Sequence, residues 1–557
     1  MATRLLSRGL FLRPLGAAAA ITAAAAGINW SALATAPSPA SAVASASPPE
    51  AAAAPPSAVF TRAEVSRHAG PESVWVTFEG GVYDVSSFVR LHPGGAKILF
   101  AAGGALEPYW RVYAQHSAPG VREILERYRI GSLDAAEAAA EAAARAAAAA
   151  AAGSSGDPYA GDPARSPLLA VRNARPFNAE PPAGLLVDSY ITPTELLFVR
   201  NHLPVPALEA ASFALRVEGG GGGAPTLLSL ADLRARFPRR EVTAVLSCAG
   251  NRRRAMSEDD AARPARGLAW GTAAIGNVAW AGAPLRDVLL AAGVRDEDVG
   301  RFVRHIVFEG LDADPSSGGG YGASIPADAA MDPAREVLLA YEMNGQPLGA
   351  DHGGPLRVVV PGVVGARQVK WLGTVRASPA ESDSLWQAKD YRVFPPGIDA
   401  ESVDFSRSDI APPIQEMPVT SAICEPAPGE ALAPGATSAA VRGYAWSGGG
   451  RAIARVDVSA DGGASWVTAE VTHAPEDASP SRTRSWGWTL WSAEVPLPQP
   501  AATQEEPPAP RTLELICKAV DVAHNTQPER IAPHWNYRGL LNNAWHRVEV
   551  KVPAGLK

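Results

Sequence analysis

The stretch from Asp134 to Gly156 constrains this chain more than any other. It is an alanine run carrying Glu137, Glu141 and Arg145, and it closes on Gly153-Ser154-Ser155-Gly156. Alanine has almost no side chain to bury, so the stretch cannot build a core. Its alanines and the Glu141–Arg145 pair favour helix, and its Gly/Ser end favours coil. It reads as a hinge, and whatever lies on either side must fold by itself. A single core rarely grows past ~250–300 residues, so the 557 residues predict two to four domains. The divisions fall at 1–57 (leader and Pro/Ala/Ser-rich spacer), 58–133 (a compact segment), 134–156 (the hinge), 157–409 (a long mixed segment) and 410–557. In the last part, β-type runs such as Val441–Trp446, Ala454–Ser459 and Leu513–Val520 alternate with turns such as Ser447-Gly448-Gly449-Gly450 and Asp461-Gly462-Gly463. That is the pattern of a β-sandwich.

Charge excludes one class of partner. The net charge is -7 with 19% charged residues, and a nucleic-acid face needs clustered Lys and Arg. Three cysteines, Cys248, Cys424 and Cys517, are too few and too scattered for a disulfide framework. Arg4, Arg8 and Arg13 lie in a leader with no acid before Glu50, the composition of an organelle transit peptide. Its apolar part, about Leu15 to Ile28, is too short and weak for a membrane span. A two-part leader fits the mitochondrial intermembrane space. A chloroplast address, or a plain disordered extension, fits the same composition. The Gly219–Gly223 run has no following helix and no Lys-Ser/Thr, so it predicts a hairpin loop rather than a phosphate cradle.

In the compact segment, His92-Pro93-Gly94-Gly95 precedes His116 by 24 residues. Two neutral imidazoles on opposite faces make a six-coordinate haem iron, which moves electrons without binding substrate. Pro93 ends any helix near the ligand, and the glycines let backbone pass a flat macrocycle. Phe88, Leu91, Leu99, Tyr109, Trp110 and Tyr113 are candidate pocket walls. Taken alone the tetrapeptide is equally a turn. With the hairpin Trp75 to Val85 before it and His116 behind it, the segment resembles cytochrome b5 over nearly its whole length. That resemblance implies that His92 and His116 hold haem b, and it leaves His68 on the surface.

Ser247-Cys248-Ala249-Gly250-Asn251-Arg252-Arg253-Arg254 follows an apolar strand, Val242 to Leu246. A cysteine at a strand end before a Gly-Asn turn is presented rather than buried, and three arginines nearby favour its thiolate. One thiolate is too few for zinc or an iron–sulfur cluster, so a metal here takes its other ligands from a cofactor. Cys424 and Cys517, in β-type runs, read as inert core. Around Cys248 the chain carries Phe198-Val199-Arg200-Asn201-His202-Leu203-Pro204-Val205-Pro206, then Glu309-Gly310-Leu311-Asp312-Ala313-Asp314 and Tyr321-Gly322-Ala323-Ser324-Ile325-Pro326. Tyr341 to Leu348, Val360-Pro361-Gly362 and Lys370-Trp371-Leu372-Gly373 follow. In this order these motifs resemble the molybdenum core of the sulfite oxidase family over most of the segment.

The resemblance implies a multidomain α+β chain: a cytochrome b5-like domain, a mixed α+β molybdopterin fold and a C-terminal immunoglobulin-like β-sandwich that dimerises. It makes Cys248 the protein ligand of molybdenum. It assigns contacts with the pterin and its phosphate tail to Phe198, Val199, Arg200, Asn201, Asp314 and Tyr321. Ser324, His352, Arg357, Gln368, Val369 and Lys370 complete that set.

Sulfite is a small dianion, and guanidinium groups, permanently charged and forked, suit it. The family places three arginines and a tyrosine at its substrate. The matching residues are Arg200, Arg253, Arg538 in Trp535-Asn536-Tyr537-Arg538-Gly539, and Tyr391 in an orienting role, with Trp270 as a wall. A surface ion pair is the ordinary fate of an arginine, and Arg538 serves the site only if the last domain folds back over the metal. The implied activity is oxidation of sulfite to sulfate at molybdenum. Electrons leave one at a time through the haem to an external acceptor, in animals cytochrome c. A nitrate reductase is the nearest rival. It is expected to carry its haem domain after the molybdenum part, to add a flavin module, and to hold an apolar residue where Arg538 stands. A haem carrier with an idle molybdenum domain is the other, and the intact Cys248 and arginine set argue against it.

Overall fold

The structure is a computed structural model. It describes residues 58–554 except 71, 94–97, 100, 111–115, 117–119, 141, 144–156, 220–222, 316–317, 408, 474–483 and 500–509, and it leaves out the side chains of 108 and 109. The leader, Gly94 and Gly95, Tyr113 and most of the alanine run therefore lie outside the described residues. Helical backbone is present at 135–140, where the hinge begins.

Residues Ser73–Phe78 and Gly81–Asp84 form the expected hairpin. Its two-residue turn puts both Glu79 (φ 46°) and Gly80 (φ 79°) in the left-handed region, which matches strand twist at a tight reversal. The hairpin sits inside a six-stranded sheet, paired with Arg129–Leu133 on one side and with Gly104–Ala105 and Ala69–Gly70 on the other. Val74, Val76 and Phe78 turn inward from it.

The long segment holds two five-stranded sheets. One runs in the order Thr226–Ser229, Ala214–Glu218, Leu372–Ser378, His305–Gly310, Gly322–Pro326. The strands on either side of the glycine run pair antiparallel, and residues 220–222 of the run lie outside the described residues. The other sheet runs Arg240–Ser247, Ile275–Pro284, Leu338–Met343, Gln346–Pro347, with Arg357–Val359 beside the third strand. Along Arg240–Ser247 the side chains pass from exposed to fully buried, so this strand drives into the core and delivers Cys248 at its end. A smaller three-stranded sheet, Ala170–Ala174, Phe177–Glu180 and Val199–Arg200, lies beside them in sequence and carries Arg200.

The last part is two four-stranded antiparallel sheets, the expected sandwich. His546–Val552 alternates buried and exposed at every residue, the period of a half-buried strand. Cys424 and Cys517 are buried there. One apolar cluster joins the core of the cytochrome-like segment, including Val76, Phe78 and Leu125, to Phe394, Phe405, Trp535 and Tyr537 of the later segments. Lys389 reaches across the same contact and donates to the Ala102 carbonyl at 2.8 Å. Among the described residues no helix is long and apolar enough to cross a membrane.

Candidate functional site

Cys248 lies where the strand stops and a turn begins. The Asn251 N–H donates to the Cys248 carbonyl at 3.0 Å, and the Gly250 N–H points at the sulfur at 3.4 Å. The expectation of a presented cysteine needs correcting: Cys248 is 6% exposed. It is hidden from solvent by neighbouring segments and open only to a cavity. The three following arginines also part company. Arg254 is exposed and pairs with Glu258. Arg252, with φ 64°, turns into the interface with the sandwich and donates to the Ser421 carbonyl. Only Arg253 stays with the cysteine. It is gripped by the Arg538 carbonyl at 2.7 Å and the Leu268 carbonyl at 2.8 Å. A Cβ on Gly250 or Gly539 would strike the Arg253 side chain at 2.4 or 2.5 Å, so these two glycines exist for its close approach.

The cavity is about 710 Å³ and is lined by Cys248, Arg200, Arg253, Arg538, Tyr391 and Asp314, among others. The last domain does fold back, because Arg538 forms an ion pair with the buried Asp390. A narrower extension runs past Phe198, Tyr321, His352, Arg357, Gln368, Val369 and Lys370. Four expected residues are set apart from this lining. Asn201 lies behind Lys370, whose ammonium donates to its side-chain oxygen. Val199 packs in a separate apolar cluster, and Ser324 is fully buried and accepts from the Ser382 N–H. Trp270 is packed with Phe198 and Cys248 beneath the wall rather than in it.

Electrostatics give the cavity its character. Burial presses the Lys370 amine down to about 7 and the Arg357 guanidinium to about 9. Burial, with Lys370 and Arg357 beside it, takes His352 to about 4. Arg253 falls to about 10 through burial and through Arg538, against the opposing pull of Cys248. Burial raises Asp312 to about 6 and Tyr391 to about 12. Arg357 donates to the His352 and Gln368 carbonyls, but among the described residues its Nε has no partner, nor has the Gln368 side-chain oxygen. A protein does not leave cations and polar atoms buried in this way without a group to meet them. An anionic, hydrogen-bonding cofactor is such a group. Among the described residues no cluster of three or more His, Cys, Asp or Glu offers a complete metal site, so most ligands of a metal here come from the cofactor.

In the cytochrome-like segment, His92 and His116 face each other with ring centroids 6.0 Å apart and planes 22° from parallel. Two imidazoles at metal–nitrogen bonds of about 2 Å from one atom need such a spacing. Phe88 and Trp110 flank the pair, Leu99 is buried, and Leu91 is 43% exposed. His68 lies against Trp75 at 3.6 Å, away from the pair.

Compared with known proteins, the chain is 53% identical to the sulfite oxidase of Gallus gallus over 88% of its own length and 99% of the relative's. To the mitochondrial sulfite oxidase of Homo sapiens it is 51% identical, over 89% and 84%. The chain belongs to the sulfite oxidase family. Residues 61–134 match the cytochrome b5-like haem/steroid binding domain, 202–386 the oxidoreductase molybdopterin binding domain, and 411–553 the Mo-co oxidoreductase dimerisation domain. Among solved structures, the sulfane dehydrogenase SoxCD of Paracoccus pantotrophus shares the fold with a TM-score of 0.53 and 25% identity, over 72% of this chain and 90% of that one.

This family member also uses residues that sequence reasoning passed over. His202 lies 2.7 Å from the Tyr391 hydroxyl, and burial, then Arg200, Lys370 and Arg538, holds it well below its ordinary pKa. It is therefore a neutral hydrogen-bond partner for Tyr391. Arg367, with no exposed surface, donates to the Tyr391 and Ile414 carbonyls and fixes that segment from behind. Asp351 ties Arg165 at 2.8 Å to Asn201 at 2.9 Å. His202 stood inside the Phe198–Pro206 motif. Arg367 and Asp351 carried no signal in spacing or periodicity.

Proposed function

We propose that this chain oxidises sulfite to sulfate. Electrons pass from a molybdenum cofactor through haem b to cytochrome c in the mitochondrial intermembrane space. The carrying observation is that Cys248, Arg200, Arg253, Arg538 and Tyr391, contributed by four segments of the chain, line one cavity. When bound, the molybdenum cofactor supplies oxygen-atom transfer and the haem supplies one-electron relay. The protein's part is binding and orientation. Arg200 and Arg253 present fixed guanidinium groups, and Arg538 adds a third that Asp390 aims. Three cations over a small cavity favour a compact dianion over a monoanion. Tyr391, steadied by His202, keeps its proton at neutral pH and orients an oxyanion as a hydrogen-bond donor rather than acting as a base.

Arg357 and Lys370 meet the negative charge of the cofactor at the far end of the cavity. The last domain serves a homodimer, in keeping with the dimerisation-domain family it matches. Nitrate reduction is the less supported reading, because sulfite oxidases match over nearly their full length and Arg538 provides the extra cation. The test is a molybdenum and iron assay on purified protein together with sulfite-dependent reduction of cytochrome c. Stoichiometric metals without that reduction overturn the proposal.

A further inference from the structure

No residue of the strand Phe177–Glu180 was among the expected site residues, yet Asn178 lines the cavity and two side chains of the strand reach both halves of the site. Asn178 and Glu180 stand two apart, on one face of the strand, and both are 1% exposed. The Asn178 side-chain oxygen accepts from Arg200 and from the Asn201 N–H, each at 3.1 Å. The Glu180 carboxylate accepts the Gly271 N–H at 2.7 Å on one oxygen and the Ala273 N–H at 3.0 Å on the other, with Arg172 2.6 Å away as counter-charge. Those two N–H groups belong to a strap, residues 268–274, whose carbonyls hold the cysteine turn. Ala274 accepts from the Cys248 N–H at 2.9 Å, Gly271 from Arg252 at 2.7 Å, and Trp270 from Arg254 at 3.0 Å. Leu268 accepts from the Arg253 side chain at 2.8 Å.

We infer that Asn178 and Glu180 are positioning residues with divided duties, Asn178 aiming Arg200 at substrate and Glu180 fixing, through the strap, the turn that presents Cys248. The carboxylate is suited to its task because both oxygens must accept. A glutamine there offers an NH₂ where an acceptor is needed, and one backbone N–H is stranded in a buried site.

The inference rests on the reading of Cys248 as the molybdenum ligand, and its test separates the two. The full-length, metal-loaded enzyme is compared as parent, Glu180→Gln and Asn178→Ala, with metal content, Mo(V) electron paramagnetic resonance and steady-state sulfite kinetics measured on each. Glu180→Gln is expected to change the Mo(V) signal and lower kcat roughly 10-fold with KM little changed, the usual cost of losing an outer support of a metal site. Asn178→Ala is expected to raise KM roughly 10-fold and leave the signal as in the parent. If Glu180→Gln fails to fold or to load, Arg172→Gln takes its place. It keeps the carboxylate but removes its counter-charge, and a smaller change of the same signal is expected. An unchanged signal in whichever variant loads overturns the role of Glu180, and equal effects of both variants on signal and KM overturn the division of duties. A Cys248→Ser enzyme that loads molybdenum and still gives the parent's Mo(V) signal overturns the ligand reading instead.

Discussion

In the cytochrome-like segment the facing histidines sit among Phe88, Trp110 and Leu99, whereas the molybdenum segment gathers Arg200, Arg253, Arg357, Arg538 and Lys370 around one cavity. The first arrangement asks little of its protein. Two imidazoles are aimed, and apolar and aromatic side chains pack beside them. The second is held against electrostatic opposition, since burial alone pushes Lys370 and Arg357 toward their neutral forms. A region built in this way is complete only with an anion inside it. The two segments should therefore respond oppositely to mutation, to pH and to loss of the cofactor.

The largest expected separation comes from the cysteine. Cys248→Ser should abolish sulfite oxidation while the haem absorption spectrum stays as in the parent, because the two sites share no ligand. Turnover near the parent rate would end the assignment of Cys248.

The next comes from Arg538→Met. Losing a charged contact inside the cavity costs about 2–4 kcal/mol, or roughly 30- to 1,000-fold in kcat/KM, and should appear mainly as a raised sulfite KM and a relative gain in nitrate reduction. Part of any damage is the stranding of Asp390, which loses its buried partner. Adding Asp390→Asn relieves that part, so the double variant should melt higher than the single one without recovering KM. An unchanged KM in the single variant makes Arg538 structural.

A smaller effect is expected from pH in cofactor-free protein. With its folded pKa near 7 against an ordinary 10.5, Lys370 binds fewer protons folded than unfolded between those values. Stability should therefore rise as pH increases from about 7 to about 10.5, and the penalty is complete below that window. An anionic cofactor supplies the missing partner and flattens the slope. Thermal melts at pH 7 and pH 9 should differ by a few degrees for cofactor-free protein and hardly at all for the loaded enzyme. The haem segment, followed by its own absorption, should show no such window. Equal slopes in both forms sink the idea that the cations wait for an anion.

These contrasts also explain what the sequence made legible. The haem site is local: two histidines within one short segment, a hairpin with a recognisable turn, and aromatic residues between. The molybdenum site is dispersed, and its residues were readable only because whole motifs resemble a family. Where the motif was silent, spacing failed. The run Arg252-Arg253-Arg254 looked like three equal cations, but a left-handed residue at its head sends each to a different destination. Cys248 looked presented because a strand end and a Gly-Asn turn are usually superficial, yet the strap and the last domain close over it. Glu180, Arg367 and Asp351 act through contacts 91, 24 and 150 residues away in sequence, and no periodicity records those.

The smallest expected effect concerns how the two segments meet. An alanine run of ~23 residues, part helix and part coil, can carry a small domain tens of ångströms, so the sequence predicts movement between molybdenum and an acceptor. The structure adds a contact: one apolar cluster spans both segments, and Lys389, next to Asp390 and Tyr391, donates to the Ala102 carbonyl. Long-range charge does little to hold it, since residues 58–134 carry eight acids and eight bases. If this contact is the one that transfers electrons, Lys389→Met should slow molybdenum-to-haem transfer in flash photolysis by roughly three- to tenfold, the worth of one partly screened charge-assisted hydrogen bond. The same variant should make the rate more sensitive to added viscogen, because more of each cycle is spent searching. Deleting Ala142 to Ala151 should act in the opposite way on sensitivity, by restricting the search, while slowing delivery to cytochrome c. A rate indifferent to viscosity, to the deletion and to Lys389 would mean that the two segments are locked in productive contact and the alanine run is only a spacer. A rate that falls with viscosity but ignores Lys389 would keep the hinge and move the productive contact to another face.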